Sequence, residues 1–128
     1  MNVDTSIARA CELVPGLLHA VLAAMPEGLL IGGVGDVSAF DREPLIRTAA
    51  RCLSARLSPA VGALPATLVE YVFVGPTELV VIQAGRRFPR LALAVACSRE
   101  PNLAFVLSST RTAIRVIEAT VDLAAWEL

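Results

Sequence analysis

The residues that could carry chemistry in this chain are few and widely spaced. The single histidine, His19, lies in an apolar stretch with no cysteine, aspartate or glutamate close to it in sequence. The three cysteines, Cys11, Cys52 and Cys97, form no Cys-x-x-Cys pair, so the ligand spacing of a zinc site is missing. We therefore interpret His19 as a structural residue and predict that the cysteines are buried free thiols in a reducing cytoplasm.

No catalytic or nucleotide-binding motif stands out. The glycine-rich segment Gly32–Gly35 fits neither the Gly-x-Gly-x-x-Gly pattern nor the phosphate-binding loop, which requires a lysine that this chain lacks. Ser108–Thr110 has no base beside it, and the acids Asp36, Asp41 and Glu43 are interpreted as loop and helix-cap residues. The sequence thus predicts a protein that is not an enzyme and that uses no metal or cofactor.

All eleven basic residues are arginines. Arg86, Arg87 and Arg90 form a basic loop between predicted strands, and an exposed arginine there could reach into a partner's phosphate site, as in some GTPase activators. A solvated turn is the interpretation that we favour. Arg47 and Arg51 share a helix face that is either solvated or the rim of a binding surface. The net charge of −1 gives no general attraction to nucleic acid or to an anionic membrane.

The elements that must position these side chains are organised around three predicted strands, Leu68–Val74, Glu78–Ala84 and Arg90–Cys97. Runs rich in Val, Ile and Leu and interrupted by Gly and Pro favour strands over helices. The turns between them are too short for a parallel crossover, so neighbouring strands are antiparallel. Neither face is polar, which predicts that other elements cover the sheet on both sides.

Helices and a hairpin are predicted around these strands. Asp4 is expected to cap the first helix, Asp41 the second and Asn102 the last. Arg115 is expected to pair with Glu118 on the wetter side of the last helix. The segments predict one α+β domain over residues 1–128, with five antiparallel strands and three helices in the order α-β-β-α-β-β-β-α. The predicted bounds are a helix over about Thr5–Leu13, a hairpin over Leu17–Val34, and helices over Asp41–Leu57 and Asn102–Asp122.

The apolar content is high for a chain of this length. Hydrophobic residues make up 55% of the 128 residues, which favours apolar surface that is buried against a partner. The longest uncharged run, Leu13–Pro26, has 14 residues, and a membrane-spanning helix needs roughly 18. The N-terminus has no basic signal-peptide region, so we expect a cytoplasmic protein without membrane insertion.

Four short motifs are spread along nearly the whole chain. Residues 13–16 (Leu-Val-Pro-Gly) lead into the first strand, and Pro26-Glu27-Gly28 forms the first turn. A strand with Val81-Ile82 is followed by Gly85, and residues 99–104 (Arg-Glu-Pro-Asn-Leu-Ala) lead into the last helix. With these motifs and this order of elements, the chain resembles the Roadblock family, the dynein light-chain Roadblock type that is also widespread in bacteria. The family typically has Asn-Leu-Gly before the last helix, so the alanine here is a small departure.

The resemblance implies a Roadblock/profilin-like fold in which a five-stranded antiparallel sheet of order 2-1-5-4-3 has helices on both faces. The third strand is then an edge, and two copies pair these edges in a homodimer with their second helices side by side. This agrees with the apolar character of the third strand, which is an aggregation hazard unless it is covered or paired. The expected dimer interface comprises Leu53, Leu68, Val69, Glu70, Tyr71, Val72, Phe73 and Val74.

The resemblance also implies a function. Dimers of this family bind Ras-like small GTPases, and some bacterial members are GTPase-activating proteins that remodel the GTPase without donating an arginine. Arg47, Arg51, Arg86 and Arg87 are the expected partner-binding residues. The alternative is a structural adaptor or scaffold in a motor or signalling complex, without nucleotide dependence. A small-molecule sensor is a more distant alternative, since no cluster of convergent polar groups supports it.

Overall fold

The computed structural model describes residues 2–35, 39–57, 70–126 and 128. Three helices and five strands follow one another in the predicted order, and a short 3₁₀ turn, Ala124–Trp126, follows the last helix. In the described part of the chain, no helix is both long enough and apolar enough to cross a bilayer. The bounds are α1 Val3–Ala10, β1 Leu17–Ala24, β2 Leu29–Val34, α2 Ala39–Leu57, β3 Glu70–Val74, β4 Glu78–Ala84, β5 Leu91–Ser98 and α3 Leu103–Thr120.

The strands form one antiparallel sheet of order β2-β1-β5-β4-β3, which confirms the expected fold class and strand order. β4 has the predicted bounds, and β5 begins one residue later than predicted. Every residue from Leu91 to Cys97 is buried. The reason is that β5 is the central strand and both of its faces are covered.

Helices cover the two faces of the sheet unequally. α1 and α3 lie on one face, where Ile7 and Ile117 meet Leu93 in the larger of two apolar cores. α2 lies on the other face, where alternate residues of β5 are alanines. These small side chains let α2 approach closely, so that Leu45 and Ala49 are buried against the sheet.

An asparagine side chain caps the N-terminus of α1 and of α3. Asn2, and not Asp4, caps α1, since its Oδ1 accepts a hydrogen bond from the Thr5 backbone N–H at 2.8 Å. The prediction for Asp4 is wrong because the helix begins at Val3, two residues before the predicted Thr5, and the Asp4 carboxylate instead accepts from the Gly33 N–H at 2.9 Å. The Asn102 cap of α3 is confirmed by a 2.8 Å hydrogen bond to its Oδ1 from the Ala104 N–H.

α2 begins at Ala39, so Asp41 lies within its first turn and is not its cap. The prediction placed the start too late, because an acidic residue is favourable throughout the first turn and does not mark one position. Pro44 is inside the helix, and the Thr48 hydroxyl donates to the Pro44 carbonyl at 2.9 Å.

Glu118 points into the protein, so the expected Arg115–Glu118 pair on the wet side of α3 is wrong. Its side chain is only 7% exposed. The carboxylate accepts hydrogen bonds from the backbone N–H groups of Phe88 at 2.8 Å and Arg86 at 3.3 Å. A half-buried turn presents these donors between β4 and β5, and leaving such donors without an acceptor is costly. α3 therefore supplies a carboxylate to the turn.

Candidate protein-interaction site

β3 presents apolar side chains at an open edge of the sheet. It ends the strand order, and no other strand of the described residues pairs with its outer side. Val72, Phe73 and Val74 are exposed, Val74 to 62%. β4, the next strand inward, is largely buried. An apolar edge of this kind is a template for another strand.

The hairpin geometry identifies the backbone groups of β3 that face outward. The Gly75 N–H donates to the Glu78 carbonyl at 2.8 Å and so closes the β3–β4 hairpin. Hydrogen-bonded pairs recur at every second residue of an antiparallel ladder, and this register continues without a shift along β3. Glu70, Val72 and Val74 therefore direct their N–H and carbonyl groups away from β4, toward the position of an incoming strand.

The residues expected at a dimer interface are placed as follows. Glu70–Val74 all lie on this edge. Tyr71 packs toward the α2 face, and Glu70 faces α3, as the alternation along a strand requires. Leu68, Val69 and the side chain of Leu53 lie outside the described part of the structure.

An open pocket of about 570 Å³ lies beside this edge, on the α2 face of the sheet. α2 packs mainly on β1 and β5, so the surface of β3 and β4 on this face is less covered. His19 is half-buried in the pocket wall. The wall is more apolar than polar and consists of His19, Pro44, Leu45, Thr48, Phe73, Glu78 and Val80. The pocket is thus an exposed, mostly apolar concavity next to the β3 edge.

Glu70, the acid at the start of β3, forms an ion pair with an arginine of α3. Arg111 donates to both oxygens of Glu70, with Nε–Oε1 and Nη2–Oε2 distances of 2.8 Å each. This pairing removes a free charge from the edge. Arg111 had no predicted role, although an acid in an otherwise apolar edge strand indicated that another element would supply a cation.

The four arginines expected to bind a partner lie on two separate elements. Arg47 and Arg51 are exposed on α2, and Arg47 forms a 3.0 Å ion pair with Glu43 one turn earlier. Arg86 and Arg87 are exposed in the β4–β5 turn, where the Arg87 guanidinium lies 5.3 Å from the centre of the Phe88 ring. The structure thus offers two basic positions and not one cluster.

Arg90 differs from its neighbours in the basic loop. Its Nε donates to the Met25 carbonyl at 2.6 Å, and its Nη2 donates to the Glu27 carboxylate at 2.9 Å. A hydrogen bond from the backbone lowers the pKa of Glu27, and Arg90 adds to this effect. Arg90 is exposed, as expected for a solvated turn, and it also joins two turns at one end of the sheet.

The thiols are poor candidates for chemistry. Cys11, Cys52 and Cys97 are all free, and Cys11 and Cys97 are completely buried, in agreement with the prediction for these two. Burial raises the pKa of both to about 11, and in Cys11 the neighbouring Cys97 adds to the effect. Cys52 is half-buried. Within the described ranges, no three His, Cys, Asp or Glu side chains are placed to hold a metal ion.

No protein-family model matches the chain, and no curated protein matches it. Solved structures do match. MglB of Myxococcus xanthus superposes with a TM-score of 0.73 at 16% identity, over 91% of this chain and 92% of that one. A Roadblock/LC7 domain from Streptomyces avermitilis gives 0.72 at 16% identity, over 93% and 97%. An MglB described as having a tetrameric arrangement gives 0.63 at 18% identity, over 89% and 91%. This chain therefore has the Roadblock/LC7 fold.

Proposed function

We propose that this chain forms a homodimer by pairing β3 with β3 of a second copy, and that the dimer binds and regulates a Ras-like small GTPase. The open apolar edge of β3 is the observation that carries the dimer. The fold shared with MglB, together with the Roadblock-like motifs of the sequence, supports a GTPase as the partner.

The geometry of β3 suits pairing with its own copy. Two antiparallel edges related by a two-fold axis are self-complementary, and Val72, at the middle of β3, directs both backbone groups outward. Because Arg111 already neutralises Glu70, the two edges do not repel each other. The α2 helix of the second copy would cover the pocket beside Phe73 and remove apolar surface from water. The tetrameric arrangement of one MglB neighbour supports self-association on this fold.

Val72→Pro tests the dimer without breaking the hairpin. Proline removes an N–H that faces outward, so the β3–β4 ladder keeps its hydrogen bonds, as in natural edge strands that carry proline. We expect the wild type to be a dimer by light scattering and Val72→Pro to be a monomer with unchanged far-UV circular dichroism. Val72→Thr, which keeps the N–H and a β-branched side chain, is the matched control and should remain a dimer. A monomeric wild type would contradict the proposed interface.

Exposed arginines on two elements give a GTPase two basic positions to contact. We propose that Arg47 and Arg51 on α2, and Arg86 and Arg87 in the β4–β5 turn, contribute to binding and not to the chemistry of hydrolysis. Arg86→Ala and Arg87→Ala should therefore leave any stimulated hydrolysis mostly intact at saturating protein. A loss of several orders of magnitude at full binding would instead identify an arginine finger.

Nucleotide-dependent capture tests the partner class. The chain serves as bait in a lysate of its own organism, with a non-hydrolysable GTP analogue or GDP added. We expect a small GTPase to be retained only with one of the two nucleotides, and single-turnover hydrolysis of the purified pair then measures activation. Absence of any small GTPase from both captures contradicts the GTPase part of the proposal and leaves the dimer test unaffected.

A structural adaptor is the second candidate, favoured by an exposed groove between the α1–β1 loop and the N-terminal part of α3. The groove is separate from the β3 edge, and its most exposed apolar members are Leu13 and Phe105. Equal retention of the same partner with both nucleotides, and loss of that partner in Phe105→Ala, would support the adaptor. The groove is lined by Leu13, Pro15, Pro101, Asn102, Phe105 and Ser109.

A further inference from the structure

The two edge strands of the sheet differ in whether another element packs against them. No strand in the described part of the chain pairs with the outer side of β3, whereas α1 lies along β2, the strand at the opposite edge. The Asp4 carboxylate accepts a hydrogen bond from the Gly33 N–H at 2.9 Å. Gly33 lies opposite Val21 in the β1–β2 register, and its N–H points away from β1. Asp4 thus occupies the place that the carbonyl group of an added strand would take.

Side chains of α1 lie so close to Gly32 that a larger residue at this position would have to displace them. A Cβ built on Gly32 would lie 2.7 Å from Asp4 Oδ1 and 2.9 Å from side-chain atoms of both Val3 and Ile7. Ile7 is completely buried. An eight-residue helix is not stable by itself in water, so these contacts and the Asn2 cap decide whether α1 stays in place.

β2 has little protection of its own. Its sequence, Leu-Leu-Ile-Gly-Gly-Val, has no charged residue and no proline, and charges and prolines are what usually discourage pairing at an edge. Leu29 is 53% exposed. The one irregularity in its pairing is a register shift opposite Leu22 and Ala23 of β1. Among the outward backbone groups of β2, the Gly33 N–H is therefore already occupied by a side chain of α1.

We propose that α1 is an edge guard, meaning that Asp4 and the helix around it keep β2 closed to β2 of a second copy. Self-association is then confined to β3, an inference that rests on the proposed β3 homodimer for its consequence. A copy with one open edge forms a closed dimer, whereas a copy with two open edges adds partners at both and forms an open chain. A second copy is the occupant that fits, because antiparallel β2–β2 pairing is two-fold and no charge opposes it.

Two substitutions in the 128-residue chain test the edge guard, each by displacing α1 from β2 in a different way. Asp4→Ala removes the acceptor, and Gly32→Val pushes α1 outward while it favours the strand conformation of β2. Asp4→Asn keeps an acceptor oxygen and serves as the conservative rescue, and Glu12→Ala removes an exposed acid near the end of α1 as a charge control. Hydrogen exchange at Gly33 reports whether the guard has opened, and multi-angle light scattering reports assembly.

The guard predicts that Asp4→Ala and Gly32→Val exchange the Gly33 amide at least about tenfold faster than the wild type, since a hydrogen bond to a charged acceptor is lost. Both should form reversible assemblies of about twice the wild-type mass or more. Asp4→Asn and Glu12→Ala should behave as the wild type. Adding Leu29→Lys to either releasing variant should restore the wild-type mass, because an edge lysine opposes strand pairing.

Three results would overturn the guard. One is unchanged Gly33 exchange in both releasing variants, and another is faster exchange with no increase in mass. The third is irreversible aggregation that Leu29→Lys does not prevent. Asp4→Ala combined with Val72→Pro separates the two interfaces: it should form dimers through β2 alone, whether or not the proposed β3 dimer exists.

Discussion

Arg111 of α3 and Glu70 of β3 form a two-point ion pair, with both nitrogen–oxygen distances at 2.8 Å, between residues 41 positions apart in sequence. The pair ties the last helix to the strand at the open edge of the sheet. The Glu70 side chain is mostly covered, and that of Arg111 is about half exposed. The pair therefore holds the first residue of β3 in register and cancels the acid of that strand.

A double-mutant cycle measures this pair. We expect Glu70→Ala, Arg111→Ala and the double variant to give a small favourable coupling, as for a partly exposed ion pair with good geometry. Urea unfolding at one fixed protein concentration is the measurement, because self-association makes stability depend on concentration. The coupling should decrease in about 1 M salt, where charges are screened within about 3 Å. Additive single effects would show that the pair contributes nothing.

The buried carboxylate of Glu118 should be among the costly side chains to remove. Glu118→Ala leaves the Phe88 and Arg86 N–H groups without their acceptor and should lower the free energy of unfolding by about 3 kcal/mol. Glu118→Gln keeps one acceptor oxygen and should cost about half as much. Glu100→Ala is the control, since Glu100 is exposed and such changes stay within about 0.5 kcal/mol. Equal urea midpoints for Glu118→Ala and Glu100→Ala would contradict the role of this carboxylate.

Arg90 should behave as a structural residue, in contrast to its neighbour Arg87. Arg90→Lys keeps the charge but loses the fork that reaches the Met25 carbonyl and Glu27 together, so we expect a cost of about 1 kcal/mol in urea unfolding. Arg87→Lys is the matched control in the same turn, because lysine also stacks on the Phe88 ring. The control should unfold within about 0.5 kcal/mol of the wild type. The reverse ranking of the two variants would show that Arg90 does not join the turns.

The two buried thiols should make the protein less stable in alkali. Burial raises the pKa of Cys11 and Cys97 to about 11, from the ordinary value of 9.0. The unfolded chain therefore loses thiol protons at a lower pH than the native protein. The stabilisation is complete below the unfolded pKa and is lost as the pH rises through the native pKa, by roughly 2–3 kcal/mol for one thiol.

Cys97→Ala isolates this effect from other groups that titrate in alkali. Urea unfolding at several pH values between about 8 and 11 should show a shallower loss of stability in the variant than in the wild type. The variant will also be less stable at neutral pH, because a buried sulfur is removed, so the comparison uses slopes and not absolute values. Identical slopes would mean that the thiols titrate alike in the native and unfolded states.

Local patterns in the sequence predicted most of the elements. The predicted strand Glu78–Ala84 has the same first and last residues as β4. The reason is that turn residues mark both ends of this apolar segment, Gly-Pro before it and Gly-Arg after it. Asn102 was predicted as a cap for a similar local reason. Acidic residues predicted the first residue of a helix less accurately. Asp4 and Asp41 lie inside their helices, since an acid is favourable anywhere in the first turn.

By itself, then, the sequence determined the order of elements, the two-sided covering of the sheet and the apolar character of β3, because these follow from periodicity and composition over a few neighbouring residues. Only the tertiary structure decided that Glu118 serves the β4–β5 turn, that Arg90 reaches Glu27 and that Asp4 closes β2, contacts that join residues 30, 63 and 29 positions apart. Whether such a charged side chain forms hydrogen bonds or only contacts solvent depends on which donors or acceptors the folded chain brings within about 3 Å of it. Arg86, Arg87 and Arg90 are therefore all exposed, but the folded chain brings a carboxylate from a distant turn, Glu27, to Arg90.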